Sequence, residues 1–333
     1  MKPEKVLVLG AGGAMGRYLV PYLAEKGCKV DGVALEELQS NDPNITWIKG
    51  NAKDWDFLKE LLAKNYDAII DFLIYNSFEI PFYLPMMLNS TGHYVFMSSG
   101  RIYDNLEHPV KETSPRLIDS CKDPLLLNSD DYCIYKARGE NILTSSGRKN
   151  WTITRPATTY SFMRYQLVTL EAHDTVGRAF AGKEVVVPIQ AKDKPATLSW
   201  GGDAARMIGE LLFHEAALGE AFNINSAESR TWGEIADYYK DICNLKAVWV
   251  DKEDYLAILN PYPYKLSYRW QLEYARLFDR EVDNSKVLAV TGLKQEDMMP
   301  LYDGLKMEID RTPRDYEWRN NQRMDDYLAT LKK

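Results

Sequence analysis

The run Val6-Leu7-Val8-Leu9-Gly10-Ala11-Gly12-Gly13-Ala14-Met15-Gly16 constrains this chain more than any other stretch. Four apolar residues lead into glycines at 10, 13 and 16, and an apolar-periodic segment follows through Tyr18, Leu19, Tyr22 and Leu23. Glycine permits positive φ and lets backbone N–H groups approach a ligand with no Cβ between them. A helix starting there aims its partly positive end at an anion, commonly the pyrophosphate of a dinucleotide. A strand-to-helix turn with no ligand is the plainer reading. The agreement of strand, glycine spacing and helix favours the nucleotide.

Strand-like and helix-like segments alternate after that turn. The patterning predicts strands over Lys5–Leu9, Lys29–Leu35, Ile45–Lys49, Asp67–Leu73, Tyr94–Ser98 and Trp151–Arg155. It predicts helices over Ala14–Lys26, Asp54–Lys64, Phe78–Asn89 and Asp131–Ser146. Such alternation implies an α/β protein with a doubly wound parallel sheet covered on both faces. Further on, Leu167–Ala181 and Asp203–Ala217 read as helices, Glu184–Val187 as a short strand and Phe222–Asn225 as a strand returning to the sheet. The expected division is a dinucleotide-binding domain over 1–160 plus about 200–228. A smaller, discontinuous C-terminal substrate lobe would then span about 161–199 and 229–333. The lobe carries many aromatics (Trp249, Tyr255, Tyr262, Tyr264, Tyr268, Trp270, Tyr274 and Phe278), whose commoner use is packing and whose rarer one is a pocket lining. Arg311–Lys333 reads as a solvent-facing helix of mixed charge.

Charge limits the partners. The 333 residues carry a net charge of -7, so no broad cationic surface is available for nucleic acid or an anionic membrane. A local patch of Arg178, Lys183, Lys192 and Lys194 would be the exception. No segment has the length of a membrane span, and Met1–Lys5 enters the first strand with no signal peptide. Cys28, Cys121, Cys133 and Cys243 are scattered, as suits reduced thiols, and a cytoplasmic location is expected. The four histidines lie far apart and no metal site is read.

Tyr132 and Lys136 stand four residues apart on a predicted helix and therefore share a face. An ammonium beside a phenol lowers its pKa from about 10, so that tyrosinate can act as a base near neutral pH. Tyr22/Lys26 and Tyr302/Lys306 repeat the spacing, but only Tyr132 follows the fifth predicted strand on the helix leading into the sixth.

With these residues in place, the chain resembles the extended short-chain dehydrogenase/reductase family, also called the NAD-dependent epimerase/dehydratase family. Gly10-x-x-Gly13-x-x-Gly16 is similar to its cofactor loop, Val95–Tyr103 to its strand-five serine motif and Tyr132-x-x-x-Lys136 to its tyrosine–lysine pair. Thr154-Arg155-Pro156, Asp203-Ala204-Ala205, Phe222-Asn223-Ile224 with Thr231–Ala236, and Asp283–Lys286 with Gly292-Leu293 continue the likeness in order. The resemblance implies a Rossmann fold with Tyr132 as base. Lys136 would hold the nicotinamide ribose and acidify the tyrosine, and Ser99 would hydrogen-bond the reacting oxygen. Gly10, Gly12, Gly13, Ala14, Met15, Gly16, Leu35, Glu36, Asn51, Ala52, Leu73, Lys136 and Pro156 would contact the cofactor. It also implies a homodimer and a small-molecule substrate, a sugar nucleotide. Arg155-Pro156 is read as structural and Asp203 as a helix N-cap.

The chain departs from that pattern in places. Ala34-Leu35 stands where an aspartate is usual, although Glu36 and Glu37 follow and would repel a 2′-phosphate. NAD is therefore favoured over NADP, with Arg17 left as an alternative phosphate partner. Asn51-Ala52 replaces an aspartate, Phe72-Leu73-Ile74 replaces small residues, and Ser161-Phe162 replaces Gly-Pro. Gly100 and Arg101 occupy the places of the acid pair that 4,6-dehydratases use, which argues against dehydration. The expected activity is an NAD-dependent epimerase of sugar nucleotides. An alcohol/ketone oxidoreductase is second, and a non-catalytic nucleotide- or RNA-binding relative third.

Overall fold

Val6 and Val8 face one side of the central sheet and Leu7 and Leu9 the other, and all four are fully buried. This is why the first strand reads as an unbroken apolar run: a strand covered on both faces has no polar side. The computed structural model describes residues 3–260, 262 and 265–332; Tyr264 and Lys333, which enter the sequence-based expectations, lie outside the described residues. The strands are β1 Lys5–Leu9, β2 Lys29–Ala34, β3 Ile45–Lys49, β4 Tyr66–Asp71, β5 Thr91–Met97, β6 Trp151–Pro156, β7 Thr158–Tyr160, β8 Glu184–Pro188, β9 Pro195–Trp200, β10 Glu220–Ile224, β11 Ser229–Thr231 and β12 Lys246–Val250. Seven of them form one sheet in the order β10-β6-β5-β4-β1-β2-β3, every pair parallel. The α/β, doubly wound parallel sheet expected from the patterning is the fold observed.

Helices Gly16–Glu25 and Gly201–Leu211 pack against one face of this sheet. Trp55–Leu62, Ile80–Asn89 and Tyr132–Ser145 pack against the other. A separate core joins residues between Tyr160 and Leu198 to residues between Trp232 and Leu328, around the β11-β9-β7 sheet and the β12-β8 pair. Its helix Trp232–Cys243 opens with a reciprocal Thr231/Glu234 capping box and closes on Asn244 in the left-handed conformation.

Three expectations need correction. Leu167–Ala181 is helical only over Val176–Phe180. Before it, Leu167 and Leu170 exchange backbone hydrogen bonds around Val168 at φ 56°, and Arg276 takes the Val168 carbonyl at 2.8 Å. Contacts from residues distant in sequence but in the same core thus override an apolar pattern that also fits a helix. The helix predicted from Asp203 starts at Gly201 and ends at Leu211, before Phe213 at φ 62°. Asp203 therefore lies inside the first turn, where its carboxylate accepts the Met299 N–H at 2.7 Å instead of capping. In the tail only Gln322–Leu331 is helical, and Met324 and Leu328 are buried against the second core, so this segment is not merely solvent-facing.

One buried ion pair ties the Tyr132 helix to the sheet. Arg155, on β6, donates from Nε and Nη2 to the two carboxylate oxygens of Glu140, each at 2.8 Å, and from Nη1 to the Tyr103 hydroxyl at 2.8 Å. Tyr103 in turn donates to Asn223 on β10 at 2.7 Å. Arg155 is thus the structural residue the sequence reading takes it for. Without Arg155 the buried Glu140 carboxylate keeps only Arg116, at 3.2 Å, so Arg155→Met should cost about 3 kcal/mol in urea unfolding, and adding Glu140→Leu should restore part of it. Equal stability of the single variant and wild type would contradict this role.

Candidate active site

In a parallel sheet all the carboxyl ends lie on one edge, and ligands collect there. At that edge a cavity of about 350 Å³ runs from the glycine turn to the second lobe. Gly10, Gly13, Ala14, Met15 and Gly16 line one end, Met97, Ser99, Arg101, Tyr132, Pro156 and Arg164 the middle, and Gln166, Trp232, Arg276 and Arg280 the other end.

The turn is built for close approach. Gly10 sits at φ 73°, and a Cβ on Gly16 would collide with the Ala11 carbonyl, so the helix packs hard on the strand it follows. Gly13 is exposed, with only the Gly10 carbonyl near its missing Cβ. The first turn of the helix holds no acidic residue and no side-chain cap, which leaves its positive end open to an anion. These features fit a dinucleotide pyrophosphate.

Ser99 follows β5, and its hydroxyl accepts the Arg101 N–H at 3.1 Å. Tyr132 opens its helix directly after the N-cap Asp131, whose carboxylate accepts the Cys133 N–H at 3.1 Å and the Arg101 Nη2–H at 3.0 Å. The Arg101 guanidinium lies 5.3 Å from the Tyr132 ring centroid. Burial pushes the Tyr132 phenol above its ordinary pKa, opposed by a hydrogen bond with Ser99 and by the charges of Arg101 and Arg164.

Lys136 does not reach the cavity. Its side chain is 1% exposed, and its Nζ donates to the carbonyls of Met97 at 2.6 Å and Leu73 at 3.2 Å, 5.8 Å from the Tyr132 ring centroid. It lies beneath the site, and it is not among the groups that lower the Tyr132 pKa. Burial brings its own pKa down to about 8, against the attraction of Asp71 and Glu140. Phe72 and Ile74 fill the lining above the place expected for small residues.

The remaining expected cofactor contacts form the lip and surroundings of the turn, outside the cavity lining. Leu35 is 70% exposed just beyond β2, and Asn51 is exposed beyond β3, its side chain accepting the Lys53 N–H at 3.0 Å. Ala52 is buried and Leu73 half-buried. Glu36 reaches over Gly12, where a Cβ would meet its carboxylate. Arg17 donates to the Gly12 carbonyl at 3.4 Å. Of the two other tyrosine–lysine pairs, Tyr22 bonds Glu210 and Tyr302 bonds Asp241, both away from the cavity.

What sequence reasoning missed is the far wall. Arg276 donates to Val168 O at 2.8 Å and Thr158 Oγ1 at 2.7 Å, and Arg280 to the carbonyls of Tyr103 at 2.7 Å and Asp104 at 3.3 Å. Burial, then repulsion from Arg101, brings their pKa values down to about 9 and about 10. Trp232, which donates to the Arg276 carbonyl at 3.2 Å, is the aromatic of this wall. The aromatic cluster proposed from sequence packs elsewhere: Tyr255 is buried in the second core, and Trp270, Tyr274 and Phe278 pack beneath the start of the Tyr132 helix. The Arg178, Lys183, Lys192 and Lys194 patch is largely paired off, Arg178 and Lys183 with Asp325 and Lys194 with Asp279. Among the described residues no helix is long and apolar enough to cross a membrane.

A model of the NAD dependent epimerase/dehydratase family matches residues 6–224. No curated protein sequence matches the chain. Among solved structures, an epimerase from Methanothermobacter thermautotrophicus is similar over 99% of this chain and 94% of its own, with TM-score 0.66 and 14% identity. A UDP-glucose 4-epimerase from Thermotoga maritima, solved with UDP-glucose, covers 92% and 97% with TM-score 0.65 and 17% identity. A dTDP-glucose 4,6-dehydratase from Bacillus anthracis, solved with NAD, covers 92% and 96% with TM-score 0.67 and 16% identity. At such identities the likeness concerns the fold.

The Lys136 amine gives a pH test. Folded, it loses its proton near pH 8; unfolded, nearer the ordinary 10.5. Between these values the unfolded chain binds more protons, so this group makes folding more favourable as pH rises from about 8 to 10.5, by up to about 3 kcal/mol. Urea midpoints of wild type should rise relative to those of Lys136→Met over that window. Parallel profiles would show that Lys136 is not held as described.

Proposed function

The chain belongs to the NAD dependent epimerase/dehydratase family, and from that premise we propose that it is an NAD-dependent epimerase acting on a sugar nucleotide. The observation that carries this reading is the single cavity shared by the glycine turn, Ser99 and Tyr132. Family membership covers dehydratases too, but Gly100 and Arg101 supply no acid and base for removing water.

Tyr132, as tyrosinate, takes the proton of a substrate carbinol, and the Ser99 hydroxyl, on binding, turns from the phenol to hydrogen-bond the same oxygen as charge builds there. Arg101 and Arg164 favour the ionised phenol that burial alone would suppress. Lys136 fixes the floor by binding the Met97 and Leu73 carbonyls, and so sets where the phenol stands. When bound, NAD supplies a hydride acceptor that returns the hydride to the opposite face, so that configuration inverts without net redox change. Gly10, Gly13 and the open helix end hold the pyrophosphate, and the Glu36 carboxylate beside Gly12 favours an unphosphorylated ribose. We read a homodimer as part of the same proposal. Phe78 and Phe82 stand 79% and 54% exposed at the helix that packs on the Tyr132 helix, which leaves apolar surface for a second copy.

Denaturing the purified protein should release NAD, and a panel of nucleotide sugars should then yield an epimerised product. Tyr132→Phe should lower kcat at least about a hundredfold with its fold intact. Turnover equal to wild type would show that another group is the base.

A further inference from the structure

Four guanidinium groups, those of Arg101, Arg164, Arg276 and Arg280, line the cavity, whereas Glu171 is the one carboxylate of the lining among the described residues. Glu171 is itself held by the Gln166 amide. In a chain of net charge -7 this is a concentrated positive wall, and such a wall attracts an anionic ligand. The four differ in how their donors are used. Arg276 and Arg280 are anchored on neutral oxygens of the surrounding backbone and side chains. A diphosphate lying along them would account for that pair.

Arg101 and Arg164 are the two whose charges also act on Tyr132, next to the reacting residues. Arg101 lies over the Tyr132 ring, and its backbone N–H is fixed by Ser99, so it borders both residues proposed to touch the reacting oxygen. Its hydrogen bonding is incomplete. Where Arg155 uses three nitrogens, two of them on one carboxylate, Arg101 gives one N–H to Asp131, and its buried Nε has no partner. Arg164 is exposed, and its recorded hydrogen bonds are those of its backbone with Ser161. Asp131 offsets one of the two charges, which leaves room for a single negative charge. A planar carboxylate matches both that charge and the guanidinium fork.

Resting on the function proposed above, we propose that the sugar unit of the substrate bears a carboxylate close to the reacting carbinol, and that Arg101 and Arg164 recognise it. The cavity thereby selects a uronate-type sugar over its neutral counterpart. Neither arginine needs to move a proton for this role.

The test uses matched pairs that differ only in carrying a carboxylate or a hydroxymethyl group at C6: UDP-glucuronate with UDP-glucose, and glucuronate 1-phosphate with glucose 1-phosphate. Binding to the full-length protein is measured by calorimetry with NAD present. Charge-assisted hydrogen bonds to one carboxylate should make the acid member of a pair bind about 10- to 100-fold more tightly. Arg101→Gln should bring that ratio toward one. Arg164→Gln, at an exposed position that the fold tolerates, should reduce it as well. Equal binding of acid and neutral members, or a preference that survives both substitutions, overturns the carboxylate inference and leaves the epimerase reading standing. Failure of all four compounds to bind overturns both.

Discussion

Parallel pairing across seven strands is the constraint on which the site depends. Leu9 pairs with Asp71, Asp71 with Phe96, and Met97 with Thr154, so β1, β4, β5 and β6 end side by side. The glycine turn after β1, Ser99 after β5 and Pro156 at the end of β6 then fall on one edge without any loop having to reach. The Arg155–Glu140 pair extends this order to the helix: it fixes the rotation of Tyr132–Ser145 against β6, and with it the place of the phenol. A catalytic geometry is accurate only where its supports are rigid, and here they are buried charges and sheet hydrogen bonds.

The electrostatic arrangement follows from that packing. Burial raises the phenol and lowers the lysine, so desolvation works against ionising both Tyr132 and Lys136. Opposing it at Tyr132 are the charges of two guanidinium groups, Arg101 and Arg164. The cations that act against the burial of Tyr132 are thus arginines on neighbouring segments, not the lysine one turn along the helix. The same arginines leave the cavity around Tyr132 positively charged.

Much of this was legible in the sequence because it is local. The glycine turn, the six strands up to β6 and the Tyr132 helix each carry their own periodicity or cap, and their order alone points to the fold. The far wall was not legible, since Arg276 meets Trp232, Gln166 and Val168 only through tertiary packing. The arginines at 269, 276 and 280, within an aromatic segment otherwise used for packing, were the available signal. Helical spacing correctly placed Tyr132 and Lys136 on one face. It could not show that this face tilts into the sheet, so that only the first residue meets the cavity. The Leu167–Ala181 expectation failed for a related reason: its Val168 carbonyl serves Arg276, distant in sequence, rather than a helix.

The central claim is that a nicotinamide ring can reach the space between Ser99 and Tyr132 although Phe72 and Ile74 narrow the approach. A crystal structure grown with NAD tests it most directly. The claim requires the pyrophosphate over Gly10–Gly16 and the nicotinamide C4 about 3–4 Å from a substrate carbon held by Ser99 and Tyr132. A dinucleotide whose nicotinamide end is turned away by Phe72 and Ile74, or one bound outside the glycine turn, would contradict it.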